Sequence, residues 1–181
     1  MIDLANYCEP EILKNGTEVL IRAVRADDKN RFSEAFRNLE TESIYTRFFS
    51  YKKTLTGEEL KAATEVDFEN VLALVVTIGE GKSETIIGGG RYVVFDAPNK
   101  VRSAEVAFTV EEDYRGQGIA SLLLRKLASI AREKGLSQFE AEVLPENHAM
   151  LAVFSRSGFP MQKLFRGGTV HVTLSIKGKG S

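Results

Sequence analysis

The sequence predicts an α+β fold in which helices pack on a mixed, mostly antiparallel central sheet. Three observations support this prediction. Residues 71–78 are almost continuously apolar, as in a buried strand. Residues 104–110 and 119–134 have the patterns of a strand and a helix, and a glycine-rich turn joins them. Residues 162–176 indicate a hairpin around Gly167 and Gly168.

The N-terminal third is predicted to hold one strand and three helices. Residues 1–16 have mixed character and are interpreted as an extension, whereas residues 17–22 alternate as a strand does. Asp27 and Asp28 provide capping side chains for a helix that runs to about residue 39, and residues 43–49 indicate a short second helix. Thr56 and Glu59 have the spacing of a capping box, which predicts a third helix to about residue 64.

A second long strand is predicted over residues 85–95, where Gly88, Gly89 and Gly90 interrupt the pattern. These glycines indicate a bulge or a close backbone approach, although a plain distortion fits them equally well. A turn follows at residues 96–99. Residues 139–143 form another predicted strand, and Asn147 caps a final helix over residues 148–157. The expected domain therefore spans residues 17–176, with a frayed tail at 177–181.

Composition excludes several classes of protein. The chain has 181 residues, 43% of them hydrophobic, which suits a single domain with its own core. A net charge of −1 argues against nonspecific nucleic-acid binding. Cys8 is the only cysteine, so no intramolecular disulfide can form. The N-terminus lacks a basic segment followed by an apolar run, so we expect a cytoplasmic protein that does not bind membranes. His148 and His171 are far apart, and no metal site is expected.

The turn at residues 115–120 (RGQGIA) is the strongest functional signal. Glycines there allow the backbone to approach a ligand, and the first amides of a helix are unpaired at the positive end of its dipole. Such a turn suits a phosphate or pyrophosphate. A dinucleotide-binding fold is excluded because the segment is not G-x-G-x-x-G and no βαβ unit precedes it.

Two motifs together resemble the GCN5-related N-acetyltransferase (GNAT) superfamily. One is Arg115-x-x-Gly118-x-Ala120, which is similar to the family's acetyl-CoA pyrophosphate motif, and the other runs from Asn147 to Gly158-Phe159. Residues 16–22, 45–49 and 142–151 are also similar to the bacterial protein-lysine acetyltransferase branch. That branch often carries a fused cyclic-nucleotide or CoA-ligase-like domain, for which 181 residues are too few.

The resemblance implies a GNAT fold, acetyl-CoA as acyl donor and a set of site residues. Glu105 takes the position of a catalytic glutamate, acting as general base on the acceptor amine. Glu105 shares a predicted strand face with Ser103, Ala107 and Thr109. A solvent-facing glutamate is the alternative interpretation. The implied cofactor-binding residues are Phe108, Thr109, Val110, Arg115, Gly116, Gln117, Gly118, Ile119, Ala120, Asn147 and Phe154. Arg125 and Lys126 are candidates for the nucleotide's 3′-phosphate.

Phe154 departs from the family pattern, because many members carry a tyrosine there that protonates the leaving thiolate. A phenylalanine has no hydroxyl, so water or the substrate would return the proton. This departure keeps open the alternative that the chain is a non-catalytic module that senses acetyl-CoA.

If the chain is an enzyme, a protein lysine is the leading acceptor, and a small amine such as a polyamine, amino acid or aminoglycoside is the alternative. Tyr45, Arg47, Phe48 and Phe49 either shape the acceptor pocket or belong to the core.

Overall fold

The computed structural model describes residues 3–39, 54–98 and 100–177. Within these ranges, one eight-stranded sheet has the order β1-β2-β3-β4-β5-β6-β8-β7. Every neighbouring pair is antiparallel except β5 and β6, which are parallel. The elements in chain order are β1 (Cys8–Ile12), β2 (Glu18–Ala23), α1 (Lys29–Arg37), α2 (Gly57–Thr64), β3 (Val71–Ile78), β4 (Thr85–Asp96), β5 (Arg102–Val110), α3 (Ile119–Glu133), β6 (Gln138–Val143), α4 (His148–Ser155), β7 (Met161–Arg166) and β8 (Thr169–Ser175). The predicted α+β class and mixed sheet are confirmed.

The N-terminal segment contributes an edge strand that the sequence pattern does not predict. Residues of β1 pair with β2 from Cys8↔Arg22 to Ile12↔Glu18. Four of the five β1 residues are exposed, so the strand lacks the apolar alternation by which strands are recognised. The expected boundary at residue 16 therefore lies in the turn of a β-hairpin.

The start of α1 differs from the prediction. The carboxylate of Asp28 does not cap this helix: it accepts a hydrogen bond from the backbone N–H of Arg25 at 2.7 Å and pairs with the guanidinium of Arg22. Asp28 is completely buried, so its charge is matched by a buried cation instead of by helix amides.

The capping box of α2 is confirmed. Thr56 Oγ1 accepts from the Glu59 backbone N–H at 3.1 Å, and Glu59 Oε1 accepts from the Thr56 backbone N–H at 3.0 Å. The short helix predicted over residues 43–49 lies outside the described residues.

Helices cover both faces of the sheet. Because strand side chains alternate, neighbouring residues such as Leu72 and Ala73 belong to different layers. Leu72 joins the larger core with α3 and α4, whereas Ala73 belongs to a smaller cluster with Phe32 and Ala35 of α1. The face covered by α1 and α2 is called the α1/α2 face below.

The glycines of β4 mark both a bulge and a close approach. Val76 pairs with Gly88 whereas Thr77 pairs with Ile86, so β4 carries one extra residue at this point. A Cβ on Gly90 would lie 2.9 Å from Cδ1 of Phe108, which leaves room only for hydrogen. Glycine is therefore required at residue 90 by packing against Phe108.

The C-terminal elements follow the sequence closely. The helix predicted over residues 119–134 is α3, and the one predicted over 148–157 is the shorter α4. Strands β7 and β8 form the predicted hairpin around Gly167 and Gly168. Of the predicted tail, only residue 177 lies in the described part of the chain.

Candidate active site

Strands β5 and β6 diverge after three paired positions. Their parallel ladder joins Ser103, Ala104 and Glu105 to residues 138–140 and ends at Glu105↔Glu140. Beyond it, residues 106–110 of β5 pair with β4 alone, and residues 141–143 of β6 pair with β8 alone, among the described strands. The gap between these two segments, called the notch, exposes backbone N–H and C=O groups on both sides. An extended ligand can occupy such a gap as an added strand does.

The floor of the notch is aromatic. Phe108 is half-buried and contacts Phe154 edge to face, with ring centroids 6.1 Å apart and planes at 60°. Phe154 is 1% exposed and lies in the main core. The structure therefore places Phe154 beneath Phe108 as a packing residue, and not on the surface of the notch.

The glycine turn follows the open end of the notch. Gly116 and Gly118 have φ values of 75° and 88°, and Gly118 is the N-cap of α3. No hydrogen bond found in the described part of the chain uses the backbone N–H of residues 116–120. These amides and the helix dipole form a site that fits a phosphate group.

The side chains of the turn have different environments. Arg115 is 54% exposed and lies 3.6 Å from Glu112. Oε1 of Gln117 is buried and has no hydrogen-bond partner among the described residues. Ile119 is 2% exposed, and its side chain anchors the first turn of α3 in the core. Only the backbone amide of Ile119 can therefore contribute to a binding site.

Lys14 is a residue that the sequence did not single out. Its backbone N–H donates to the Gln117 carbonyl at 3.4 Å, and its Cε lies 3.3 Å from the position that a Cβ on Gly118 would occupy. The exposed lysine stem thus crosses the glycine turn. No sequence signal connects the two, because the contact depends on β1 joining the sheet.

The two cations predicted for the 3′-phosphate are not equivalent. Lys126 forms ion pairs with Glu9 and, at 2.8 Å, with Glu11. Burial alone would lower the pKa of Lys126, but the hydrogen bonds to Glu11 and Glu9 raise it. Arg125 is exposed on α3 and remains the more available of the two.

Asn147 caps α4 as the sequence predicts. Its Oδ1 accepts from the backbone N–H of Met150 at 3.2 Å. This cap lies four residues beyond the end of β6, on the side where the notch opens. Its amide nitrogen is the atom left for a ligand, and a cofactor contact remains a prediction.

Glu105 lies at the closed end of the notch, where β5 and β6 separate, and this end is called the vertex of the notch. It is the last β5 residue paired with β6, and it also pairs with Val93 of β4. Its side chain is exposed and points to the α1/α2 face, as do those of Ala107 and Arg91. A carboxylate therefore stands where the two strands separate, beside small neighbours.

A charged cluster flanks Glu105 on the next strands. Glu140 lies opposite Glu105 and contacts Nε2 of His171 at 2.8 Å, while Nδ1 of His171 contacts Glu142. Thr169 donates a further hydrogen bond to Glu142 at 2.6 Å. Burial alone would lower the pKa of His171, but its two glutamate partners raise it.

A cavity of about 360 Å³ lies between α1, α2 and strands β3–β5 on the α1/α2 face. Its wall is mainly apolar and includes Phe32, Ala107 and Thr109, with Arg91 and Glu111 among its polar residues. Burial raises the pKa of Glu111. The residues predicted to shape an acceptor pocket, Tyr45, Arg47, Phe48 and Phe49, lie outside the described residues.

Two features are absent from the described ranges. No group of three or more His, Cys, Asp and Glu side chains there is arranged to hold a metal ion. No helix in the same ranges is long and apolar enough to cross a membrane.

The notch, the glycine turn and the flanking helices can be compared with known proteins. The model of the acetyltransferase (GNAT) family matches residues 34–159. The chain belongs to this family. The GNAT domain of S. lividans PAT, a solved structure, superposes with a TM-score of 0.83 at 31% identity, covering 93% of this chain and 96% of that one. The predicted GNAT fold and family are confirmed.

Two GNAT relatives are similar over most of the chain. Acetyltransferase Pat of Mycolicibacterium smegmatis is 34% identical over 149 residues, which cover 82% of this chain and 43% of the relative. Acetyltransferase PA5475 of Pseudomonas aeruginosa is 28% identical over 153 residues, covering 84% and 81%. The chain thus spans less than half the length of Pat.

Proposed function

We propose that this chain is an acetyl-CoA-dependent N-acetyltransferase that transfers the acetyl group directly to a primary amine, with a protein lysine as the leading acceptor. The observation that carries the proposal is the position of Glu105 at the vertex of the notch. The notch accepts the extended pantetheine arm, the glycine turn accepts the pyrophosphate, and Glu105 stands where both strands converge.

Transfer requires a neutral amine. A lysine amine has a pKa of about 10.4 and is protonated at neutral pH. Glu105 acts as the general base, directly or through a water, and removes this proton. The amine nitrogen then forms a bond to the thioester carbonyl carbon, the C–S bond breaks, and the thiolate of CoA leaves. Because Phe154 has no hydroxyl, the thiolate takes its proton from water or from the nitrogen of the substrate.

The proposal is tested by incubating the purified chain with acetyl-CoA and measuring the release of free CoA. A panel of proteins and small amines serves as acceptors. Comparing the rates of CoA release distinguishes a protein-lysine acceptor from a small-amine acceptor. Glu105→Gln should retain acetyl-CoA affinity and lose about 100-fold or more in kcat, the usual contribution of a general base. Glu133→Gln, an exposed glutamate at the end of α3, is the matched control. Unchanged turnover of Glu105→Gln across pH would contradict the role of Glu105.

A second candidate is a non-catalytic module that senses acetyl-CoA. The buried Phe154, without the hydroxyl of a proton donor, is the observation that favours it. Tight binding of acetyl-CoA with no CoA release for any acceptor would support this candidate over the enzyme.

A further inference from the structure

Arg91 occupies an unusual position near the proposed reaction site. It lies on β4 between Ala73 of β3 and Ala107 of β5, and its side chain points to the α1/α2 face. There it lines the 360 Å³ cavity. The two neighbouring alanines leave the guanidinium space to extend into that cavity.

The guanidinium of Arg91 has no partner within the described ranges. No hydrogen bond or ion pair there involves it, and burial lowers its pKa with no carboxylate to oppose this effect. Other arginines near this face behave differently: Arg22 and Arg31 both pair with Asp28. Arg91 is half-buried, so its guanidinium loses part of its hydration without gaining a carboxylate partner, which is unfavourable and needs an explanation.

The two acidic residues that line the described part of the cavity do not supply the missing partner. Glu111 lies beyond the end of β5, four residues from Ala107, which corresponds to roughly 13 Å along an extended chain. The other, Glu59, is used in the capping box of α2. Neither contributes to the pKa of Arg91.

Arg91 is also a neighbour of Glu105. Arg91 pairs with Ala107, and Glu105 is two residues away from Ala107 on the same face of β5. Such diagonal neighbours have Cα atoms about 7–8 Å apart. A small acceptor can therefore contact both side chains at once.

We propose that Arg91 binds a carboxylate that the acceptor carries close to the amine deprotonated by Glu105. The inference rests on the proposed function and specifies its substrate class. A guanidinium matches a carboxylate in a bidentate geometry, and the apolar surroundings strengthen this interaction. The carboxylate has two sources, the α-carboxylate of a free amino acid or an Asp or Glu beside the target lysine of a protein. Polyamines, which carry only positive charges, are poor acceptors.

The test uses acceptors that differ only in the carboxylate. Nα-acetyl-lysine is compared with its C-terminal amide, and a lysine peptide with an adjacent Asp is compared with its Asn counterpart. The wild type should prefer the carboxylate member of at least one pair by about tenfold or more in kcat/KM, as expected for a charged hydrogen bond. The pair that shows the preference identifies the source of the carboxylate.

Arg91→Gln should reduce this preference to near unity, mainly by raising KM for the carboxylate member of the pair. Arg156→Gln, an exposed arginine at the end of α4, should keep the wild-type preference. An equal loss of kcat for both members of a pair would overturn the inference, because it would indicate that Arg91 acts on the thioester of acetyl-CoA and not on the carboxylate of the acceptor. A wild type without any carboxylate preference would overturn it as well.

A binding measurement separates this inference from the proposed function. Calorimetry of both acceptor pairs with the CoA-saturated protein requires no turnover. Tighter binding of the carboxylate member of at least one pair that disappears in Arg91→Gln supports the inference even if no CoA is released, whereas equal binding within both pairs overturns it. Absence of CoA release with every acceptor contradicts the proposed activity alone.

Discussion

Arg22 and Asp28 form a bidentate ion pair in the interior of the protein. Nη1 of Arg22 lies 2.9 Å from Oδ2 of Asp28, and Nη2 lies 2.7 Å from Oδ1. Nε of the same arginine is 3.1 Å from Oε2 of Glu84, which directly precedes β4. This network connects β2, the turn before α1 and the edge of β4, so it fixes α1 as one wall of the cavity.

Asp28→Asn should lower the free energy of unfolding by about 3–5 kcal/mol, because it leaves the buried Arg22 charge without its partner. Urea denaturation followed by circular dichroism measures the change. Asp27→Asn is the control: its side chain is 75% exposed, and the change should be within about 1 kcal/mol. Similar losses in both variants would contradict the role of the buried pair.

The same pair predicts a loss of stability in acid. Burial alone would raise the pKa of Asp28, but the bonds from Arg22 and from the Arg25 backbone lower it below its ordinary value of 3.8. A lowered folded-state pKa adds stability that is present above 3.8 and lost as the pH falls through the lowered value. Asp28→Asn should therefore show a weaker fall in stability below about pH 4 than the wild type.

Gly90→Ala should disturb the floor of the notch. The new methyl group would lie 2.9 Å from Cδ1 of Phe108 and 3.2 Å from Cδ1 of Leu127, so the Phe108 ring must move. Overpacking of this kind typically costs about 1–3 kcal/mol of unfolding free energy. The Kd for acetyl-CoA should also increase. Gly57→Ala, where a Cβ meets no described atom within 4 Å, should change neither quantity appreciably.

Lys14→Gln should weaken the binding of acetyl-CoA, because the stem of Lys14 crosses the turn that is proposed to hold the pyrophosphate. Loss of one charged hydrogen bond corresponds to about a tenfold increase in Kd, measured by calorimetry. S-acetyl-pantetheine, which has no pyrophosphate, should bind both proteins equally. Lys163→Gln on the distant strand β7 is a charge-matched control. An effect of Lys14→Gln on both ligands would argue for a general distortion.

The surroundings of His171 predict a second pH dependence of stability, above pH 6.5. The imidazolium faces Glu140 and Glu142, and Arg166 lies 3.9 Å from Glu142. Because its folded-state pKa is raised, its stabilising effect is complete below 6.5 and is lost as the pH rises through the raised value. The melting temperature of the wild type should fall above pH 6.5, and His171→Gln should remove this part of the fall. His148→Gln, an exposed histidine, should leave it in place.

Elements with a regular apolar pattern were predictable to within a few residues. Strand β3 matches its predicted bounds, and the Thr56 capping box fixes the start of α2, because both depend on interactions between residues close in sequence. Strand β1 was missed because its side chains are exposed. The predicted role of Asp28 as a cap of α1 was wrong. An aspartate suits both a helix cap and a buried ion pair, so the sequence alone does not distinguish the two.

The candidate site was only partly predictable. The glycine turn is a local motif, whereas the notch depends on how β5 pairs with a strand almost 30 residues further along. Neither Lys14 nor Arg91 carries a local signal. Lys14 reaches the turn through a strand pairing that the sequence did not reveal, and Arg91 is distinguished by the absence of a partner in the described ranges, which only a three-dimensional arrangement shows.

The separation of β5 from β6 also bears on aggregation. Unpaired strand edges normally attract strands from other molecules, and proteins shield them with charges, bulges or covering segments. Here the unpaired groups lie inside the sheet, between two strands that remain joined at Glu105 and Glu140. A foreign β-hairpin would have to force these strands apart, whereas a single slender chain fits between them. The protein can thus keep backbone groups ready for a ligand without exposing them at an outer edge of the sheet.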